Sequence, residues 1–211
     1  KSFSTRVSTI YLPDRKRPML PTILSDALCS LTEGHVRFAI TLDLIVDKET
    51  YEIMNMKFKN TMVRVKKNFR YDTKELENNK TYKSIFELIK KMNRVNKYMD
   101  KIGTSHEVVA YLMILMNYIS AKKLRESRTG IYRTSKFNNT YKLPEEAPKE
   151  CKKFLKLWNS FGGKYVSFDD IEGHDWLELD AYVHMTSPIR RLVDLLNIIR
   201  IQEILKIGDI S

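Results

Sequence analysis

The stretch HVRFAITLDLIVD, residues 35–47, decides the fold. Val36, Phe38, Ile40, Leu42 and Leu44 recur at every second position, which puts them on one face of a strand and calls for that face to be buried. DKET (47–50) follows as a turn, and YEIMNMKFKN (51–60) reads as the returning strand of a hairpin whose register is not readable from sequence. MVRVKKNF (62–69) suggests a third strand. From Lys74 the period changes to helical. Ile85, Phe86, Ile89, Met92, Val95 and Met99 make one apolar stripe, and Gly103 is placed as the residue just past its end. Thr104 with Glu107 three residues on forms a capping box that opens the next helix. That helix, to about Leu124, is apolar on most sides and is expected at the centre of the molecule. Strands first and helices after predict an α+β domain, with antiparallel strands near the N-terminus packed against a set of helices.

Outward from this centre the chain is less regular. Residues 1–34 read as loop, with Pro13, Pro18, Pro21 and the basic run DRKRP, followed by a short apolar helix in TILSDALCSL. SRTGIYRTSKFNNTYKLP (127–144) reads as an irregular connection, EEAPKECKKFLKLWNSF (145–161) as a helix stopped by Gly162 and Gly163, and GKYVSFDDIEGHDWLELD (163–180) as loop or short strand. HMTSPIRRL (184–192) opens the last helix. Ser187 suits the N-cap and Pro188 the first helical position, and Ile189, Leu192, Val193, Leu196 and Ile199 follow at helical spacing. No internal repeat or low-complexity tract is visible.

The 211 residues are 43% hydrophobic, enough for a real core, and 30% charged with a formal net charge of +11. Such an excess predicts an acidic partner, nucleic acid first and an anionic membrane surface second, against the alternative of a lysine-rich soluble surface. Cys29 and Cys151 form no metal-binding pattern and suggest a reducing, cytoplasmic setting. No apolar run reaches the ~20 residues needed to span a bilayer. The chain begins with Lys1 and no helix or strand signal, which suggests a fragment of a longer polypeptide.

The chemistry centres on Arg190 and Arg191. In the first turn of a helix two cations oppose the helix dipole, so an external anion is expected to face them. Arginine forks hold phosphate oxygens in pairs and stabilise charge on a transferring phosphoryl group. The alternative is that both arginines pair with carboxylates of the chain, such as Asp180 or Asp194. Tyr11, in a proline-flanked basic loop, could stack on a base or pack on the domain edge. Tyr71, after the basic run VRVKKNFR, could aim its hydroxyl at a phosphate or sit half-buried at a strand end. Lys66, Lys67 and Arg70 could follow a phosphate backbone or form a solvated basic face. His35, His106, His174 and His184 have no zinc spacing, and DDIEGHD reads as a polar loop rather than a calcium loop. Phosphate-cradling glycine loops and the GxSxG nucleophile motif are absent.

The segment TIYLPDRKRPMLPTILSDALCSLTEGHVRFAITLDLIVD resembles the region that follows the acidic site in ribonuclease II-type (RNB) exoribonucleases, with the pattern YLPxxxxPMLPxxLSxxLCSL and a following arginine. Tyr11, Pro13, Pro18, Met19, Pro21, Ser25, Cys29, Ser30 and Arg37 are among the matches. YVHMTSPIRRLVD resembles that family's YxHxTSPIRRYxD. The resemblance implies one RNB catalytic-domain fragment, residues 1–211, from a protein that hydrolyses single-stranded RNA processively from 3′ to 5′ and releases nucleoside monophosphates. Flanking OB-fold domains would grip the RNA. Tyr11 would stack on RNA toward a channel entrance, Tyr71 would help set the cleavage position, and Arg190 would stabilise the phosphate in the transition state. Arg191, Thr186 and Ser187 would be further RNA contacts. Magnesium or manganese is implied, with the family's aspartate ligands upstream of Lys1 and no metal ligand in this chain.

The pattern also departs from the family's. Ala110 and Tyr111 of VAYLM stand where the family has glutamates, although Asn117 and Ala121 keep the spacing of the same helix. A hairpin before that helix is missing, the stretch from Gly130 to Asp180 is short, Leu192 replaces a tyrosine, and Ile198–Ile199 replace a His-Arg pair. These departures keep open a degenerate RNB domain that binds RNA or a protein partner without cutting.

Overall fold

The structure is a computed structural model that describes residues 7–136, 148–152, 154 and 163–206. The α+β expectation holds, and the helices pack on antiparallel strand pairs. Two-residue strands β1 (Ile10–Tyr11) and β2 (Lys16–Arg17) pair first, followed by a π-helical turn, Ile23–Leu28. The hairpin β3 (Val36–Val46) and β4 (Ile53–Arg64) is the largest sheet element, in the register Leu42↔Phe58, with a bulge near its turn at Ile45/Val46. Its turn is stabilised locally: the Asp47 carboxylate accepts from the Glu49 and Thr50 N–H groups at 2.8 and 2.7 Å.

Two expectations about the hairpin are corrected. The third strand does not form separately, because residues 62–64 continue β4 and the chain then leaves the sheet. The alternating face is buried only along its turn-proximal half. Leu42, Leu44, Val46, Ile53 and Phe58 pack on the helices, whereas Phe38 is 83% and Met62 69% exposed at the open end, where no helix lies beneath them.

Helix α1 (Lys74–Asn78) is short and stops at Asn79, which turns extended and caps α2 (Lys80–Val95) by accepting from Tyr82 N–H. α2 ends earlier than its apolar stripe implied, so Gly103 is not its terminal glycine. Asn93 explains this: its amide donates to the Met99 carbonyl, and its oxygen accepts from the Tyr98 and Met99 N–H groups, folding residues 96–99 back on the helix. Helix α3 (Ser105–Glu126) has the expected capping box of Thr104 and Glu107 and lies at the centre. Its Val108, Tyr111, Leu115 and Ile119 join Ile89 and Met92 of α2 in one core cluster. Its Ala121 and Leu124 join Tyr132, Val183, Met185 and Ile201 in a second.

The connection after α3 is more ordered than expected, since β5 (Tyr132–Thr134) pairs with β6 (Lys164–Val166). The helix expected over 145–161 falls largely outside the described residues. Helix α4 spans Leu192–Leu205, four residues later than Pro188. No helix among the described residues is long and apolar enough to cross a membrane.

Candidate functional site

The site is built on the loop that precedes α4. Arg190 and Arg191 are not in a first helical turn. Residues 188–190 form a turn in which Arg190 N–H and Arg191 N–H both donate to the Ser187 carbonyl at 3.1 Å. Arg191 is extended, with φ −133°, and stands at the cap of α4. A long-range pairing imposes this shape. Thr9 N–H donates to the Arg190 carbonyl at 2.8 Å, Leu192 N–H donates to the Val7 carbonyl at 2.9 Å, and Ser8 bridges Arg191. The segment that leads into Tyr11 is thus bound edge-on to the arginine loop, and residues 7–9 meet residues 190–192.

The arginines separate in role. Asp194, fully buried in α4, accepts from Ser187 N–H at 2.7 Å and from Arg191 Nη2 at 2.8 Å. Arg191 Nε lies 2.7 Å from the other Asp194 oxygen, close enough for an ion pair but without hydrogen-bond alignment. The carboxylate alternative therefore describes Arg191. It does not describe Arg190, which is exposed and has no carboxylate partner among the described residues. Asp180 is engaged elsewhere, with Arg125 at 2.6 Å and the Tyr118 hydroxyl at 3.0 Å.

Behind the loop lies a polar and aromatic cluster. His184 Nδ1 is 2.7 Å from the Tyr165 hydroxyl, and the His184 ring meets Tyr165 and Tyr182 edge-on, at 5.8 and 5.7 Å. His174 meets Tyr182 in the same way at 5.1 Å. Asn117, fully buried on α3, ties this cluster to the core. Its amide donates to the Tyr182 hydroxyl at 2.9 Å and its oxygen accepts from Met185 N–H at 3.0 Å. Asn197 of α4 does the same on the other side, donating to the His184 and Ile131 carbonyls at 3.0 and 2.9 Å. Burial pushes His184 down to about 3, with Arg191, Arg133, His174 and Arg190 adding to the effect, so the imidazole is neutral near pH 7. Burial raises Tyr165 above its ordinary value against the opposing pull of the same arginines. A neutral imidazole and a neutral phenol thus sit in a strongly cationic surrounding.

The other expected residues are placed as follows. Tyr11 is 66% exposed on β1, opposite Lys16. Thr186 is exposed and Ser187 half-buried at the start of the arginine turn. Tyr71 is in a different group: its ring stacks on His106 with centroids 3.9 Å apart, beside Asp72, whose carboxylate accepts from the Ser105 hydroxyl and N–H at 2.6 and 3.1 Å. Those bonds hold the Asp72 carboxyl below its usual range. Lys67 is paired with Glu75, so that member of the basic cluster has an internal partner. Among the described residues, no group of three or more His, Cys, Asp or Glu side chains could hold a metal ion. The described residues therefore do not make up a magnesium site. Arg133 and Tyr165 carry no sequence signal, whereas Tyr182 and His184 are fixed positions of the YxHxTSPIRR pattern. A further signal was Asn117, a polar residue inside the apolar run VVAYLMILMNYISA.

Comparison with known proteins places these features in a wider group. A family model described as the RNB domain matches residues 1–97. Ribonuclease R of Ureaplasma parvum is 48% identical over 44 residues, which cover 21% of this chain and 6% of that protein. Ribonuclease R of Chlamydia trachomatis is 24% identical over an alignment covering 90% of this chain and 37% of that protein. Among solved structures, Mycoplasma genitalium RNase R in complex with ribose methylated single-stranded RNA superposes with a TM-score of 0.74 at 21% identity, covering 96% of this chain and 43% of that one. Yeast Ssd1, a pseudonuclease, superposes with a TM-score of 0.76 at 14% identity, covering 98% of this chain and 34% of that one. At these identities the structural likeness bears on the fold. The chain spans well under half the length of each of these proteins.

Proposed function

We propose, from its likeness to RNB-domain proteins, that this chain is a single RNB catalytic-domain fragment, the RNA-gripping part of an exoribonuclease that as a whole hydrolyses single-stranded RNA processively from 3′ to 5′ to nucleoside monophosphates, the fragment alone being inactive. The observation that carries the reading is the pairing of residues 7–9 with the arginine loop, which brings the exposed Tyr11 strand beside the exposed Arg190. A base stacked on Tyr11 and a phosphodiester at Arg190 are then served by one continuous surface. Arg190, without a carboxylate partner among the described residues, is available to an external phosphate and to the extra charge that develops on it during displacement. Arg191 holds the loop through Asp194 and adds positive potential, and Thr186 and Ser187 complete the RNA contacts. Tyr71, half exposed on its histidine stack, is the tyrosine assigned to the scissile end. The reading includes magnesium or manganese held by carboxylates other than those described, flanking OB-fold RNA-binding domains, and a cytoplasmic setting.

The experiment is degradation of a 5′-labelled single-stranded RNA by the full-length protein, with magnesium, with manganese and with chelator. Metal-dependent shortening from the 3′ end to a small limit product is the expected result. RNA binding without shortening supports the second reading, a degenerate domain that binds RNA without cleaving it. One observation favours that second reading: Tyr111, at a position where the family pattern has a glutamate, is wholly buried in the core and offers no carboxylate to a site.

A further inference from the structure

The β5–β6 strand pair carries an arginine that the proposed function does not use. Arg133 is the central residue of β5 and pairs with Tyr165 of β6. Its guanidinium lies over the Tyr165 ring, 5.1 Å from the centroid, and donates to the Gly163 carbonyl. Gly163 makes this approach feasible. A β-carbon there would lie 2.7 Å from the guanidinium carbon and 2.8 Å from the Thr134 carbonyl oxygen, and a backbone carbonyl inside a strand pair cannot swing aside. Ring and backbone therefore hold the guanidinium in one place, which cuts the entropy cost of presenting it to a ligand.

Arg133 has no carboxylate partner among the described residues, and neither does Arg190. Arg133 is half-buried, where water screens its charge less than at an open surface. Both guanidiniums lie near enough to Tyr165 and His184 to act on their protonation, and the carboxylate that acts on Tyr165, Asp194, is already paired with Arg191. A fixed, under-neutralised guanidinium beside a phenol hydroxyl, next to a loop already assigned to phosphate, fits an oxyanion with several acceptor oxygens.

We propose that Arg133, braced on Tyr165 and Gly163, is a second phosphodiester contact for the RNA, alongside Arg190. This inference rests on the RNA-degrading reading and deepens it by adding a residue far from the arginine motif in sequence.

The test is equilibrium binding of single-stranded RNA to the full-length protein over a salt series, for the unaltered protein and for Tyr11→Ala, Arg133→Ala, Arg133→Lys and Gly163→Ala. Loss of one phosphate contact to a single strand reduces the slope of log K against log salt by about 0.7. Arg133→Ala is expected to lower affinity about tenfold with that change of slope. Arg133→Lys is expected to keep the slope, and Gly163→Ala to weaken binding by displacing the guanidinium. If Tyr11→Ala weakens binding and Arg133→Ala does not, the inference is overturned while the RNA reading stands. If Arg133→Ala weakens binding with an unchanged slope and a lowered melting temperature, the residue is a structural brace and the inference is equally overturned. If the unaltered protein binds no RNA, both fall together.

Discussion

Arg190 and Arg191 are neighbours with the same side chain, and their partners separate their roles. Arg191 is committed to a buried carboxylate, whereas Arg190 faces outward without one among the described residues. Truncating Arg190 to alanine in the full-length protein is therefore expected to lower turnover about a hundredfold or more, with a smaller effect on binding. Single-turnover rates set beside dissociation constants decide this, and equal losses in both would remove the transition-state role. His184 supports a second prediction. Its folded-state value, about 3, lies below that of a free histidine, so the unfolded chain takes up a proton that the folded protein refuses. Stability contributed by the neutral His184 is present above about pH 6.5 and is lost as pH falls toward the folded value. Urea midpoints at about pH 7 and about pH 4.5 should differ less in His184→Gln than in the unaltered protein. An identical acid loss in both would show that other groups carry it. At this scale the sequence was readable where a side chain acts with its neighbours in the chain, as with Thr104 and Glu107. It was silent on how Tyr165, His184 and Asn117 come together, since they lie in three separate parts of the chain and share no spacing.

Among the elements, β3 was legible because its alternation extends over many residues, and α3 because a capping box opens a long apolar run. The start of α4 was not. Ser187 and Pro188 carry the ordinary signals of a helix start, yet the same pair suits a turn, and what decides is distant. Val7 takes the Leu192 N–H and Thr9 donates to the Arg190 carbonyl, which keeps Arg191 extended. Asp194 then completes the loop by accepting from Ser187 N–H and Arg191. Replacing Asp194 with alanine leaves a guanidinium that is only 21% exposed without its partner and frees the loop from its helix. A loss of about 3 kcal/mol is expected in urea unfolding, since breaking a largely buried pair on one side costs about that much. A loss below about 1 kcal/mol would mean that the pair behaves like an exposed one. Gly103 was misplaced for a related reason. The apolar spacing of α2 runs on to Met99, and only the side-chain bonds of Asn93 show that the helix has already ended.

For the whole molecule, the net charge of +11 was the broadest sequence signal, and it bears on affinity more than on fold. Affinity of the full-length protein for single-stranded RNA is expected to fall linearly in log K against log salt, with a slope of about −0.7 for each phosphate engaged. A slope near zero would remove the phosphate-contacting role of the basic surface. The α+β class was legible from the order of periods along the chain. The meeting of residues 7–9 with residues 190–192 was not, because the pairing of Val7 with Leu192 leaves no local trace. That pairing also sets a schedule. A ribosome adding about 5–20 residues per second needs roughly 10–40 seconds to pass from one partner to the other. During that interval the hairpin and the central helix have their sequence in hand, while the strand leading to Tyr11 waits for its other half. The Tyr11 strand therefore docks late, and a nascent chain that stalls before residue 192 holds the first core cluster but lacks both that docking and the α4 side of the second.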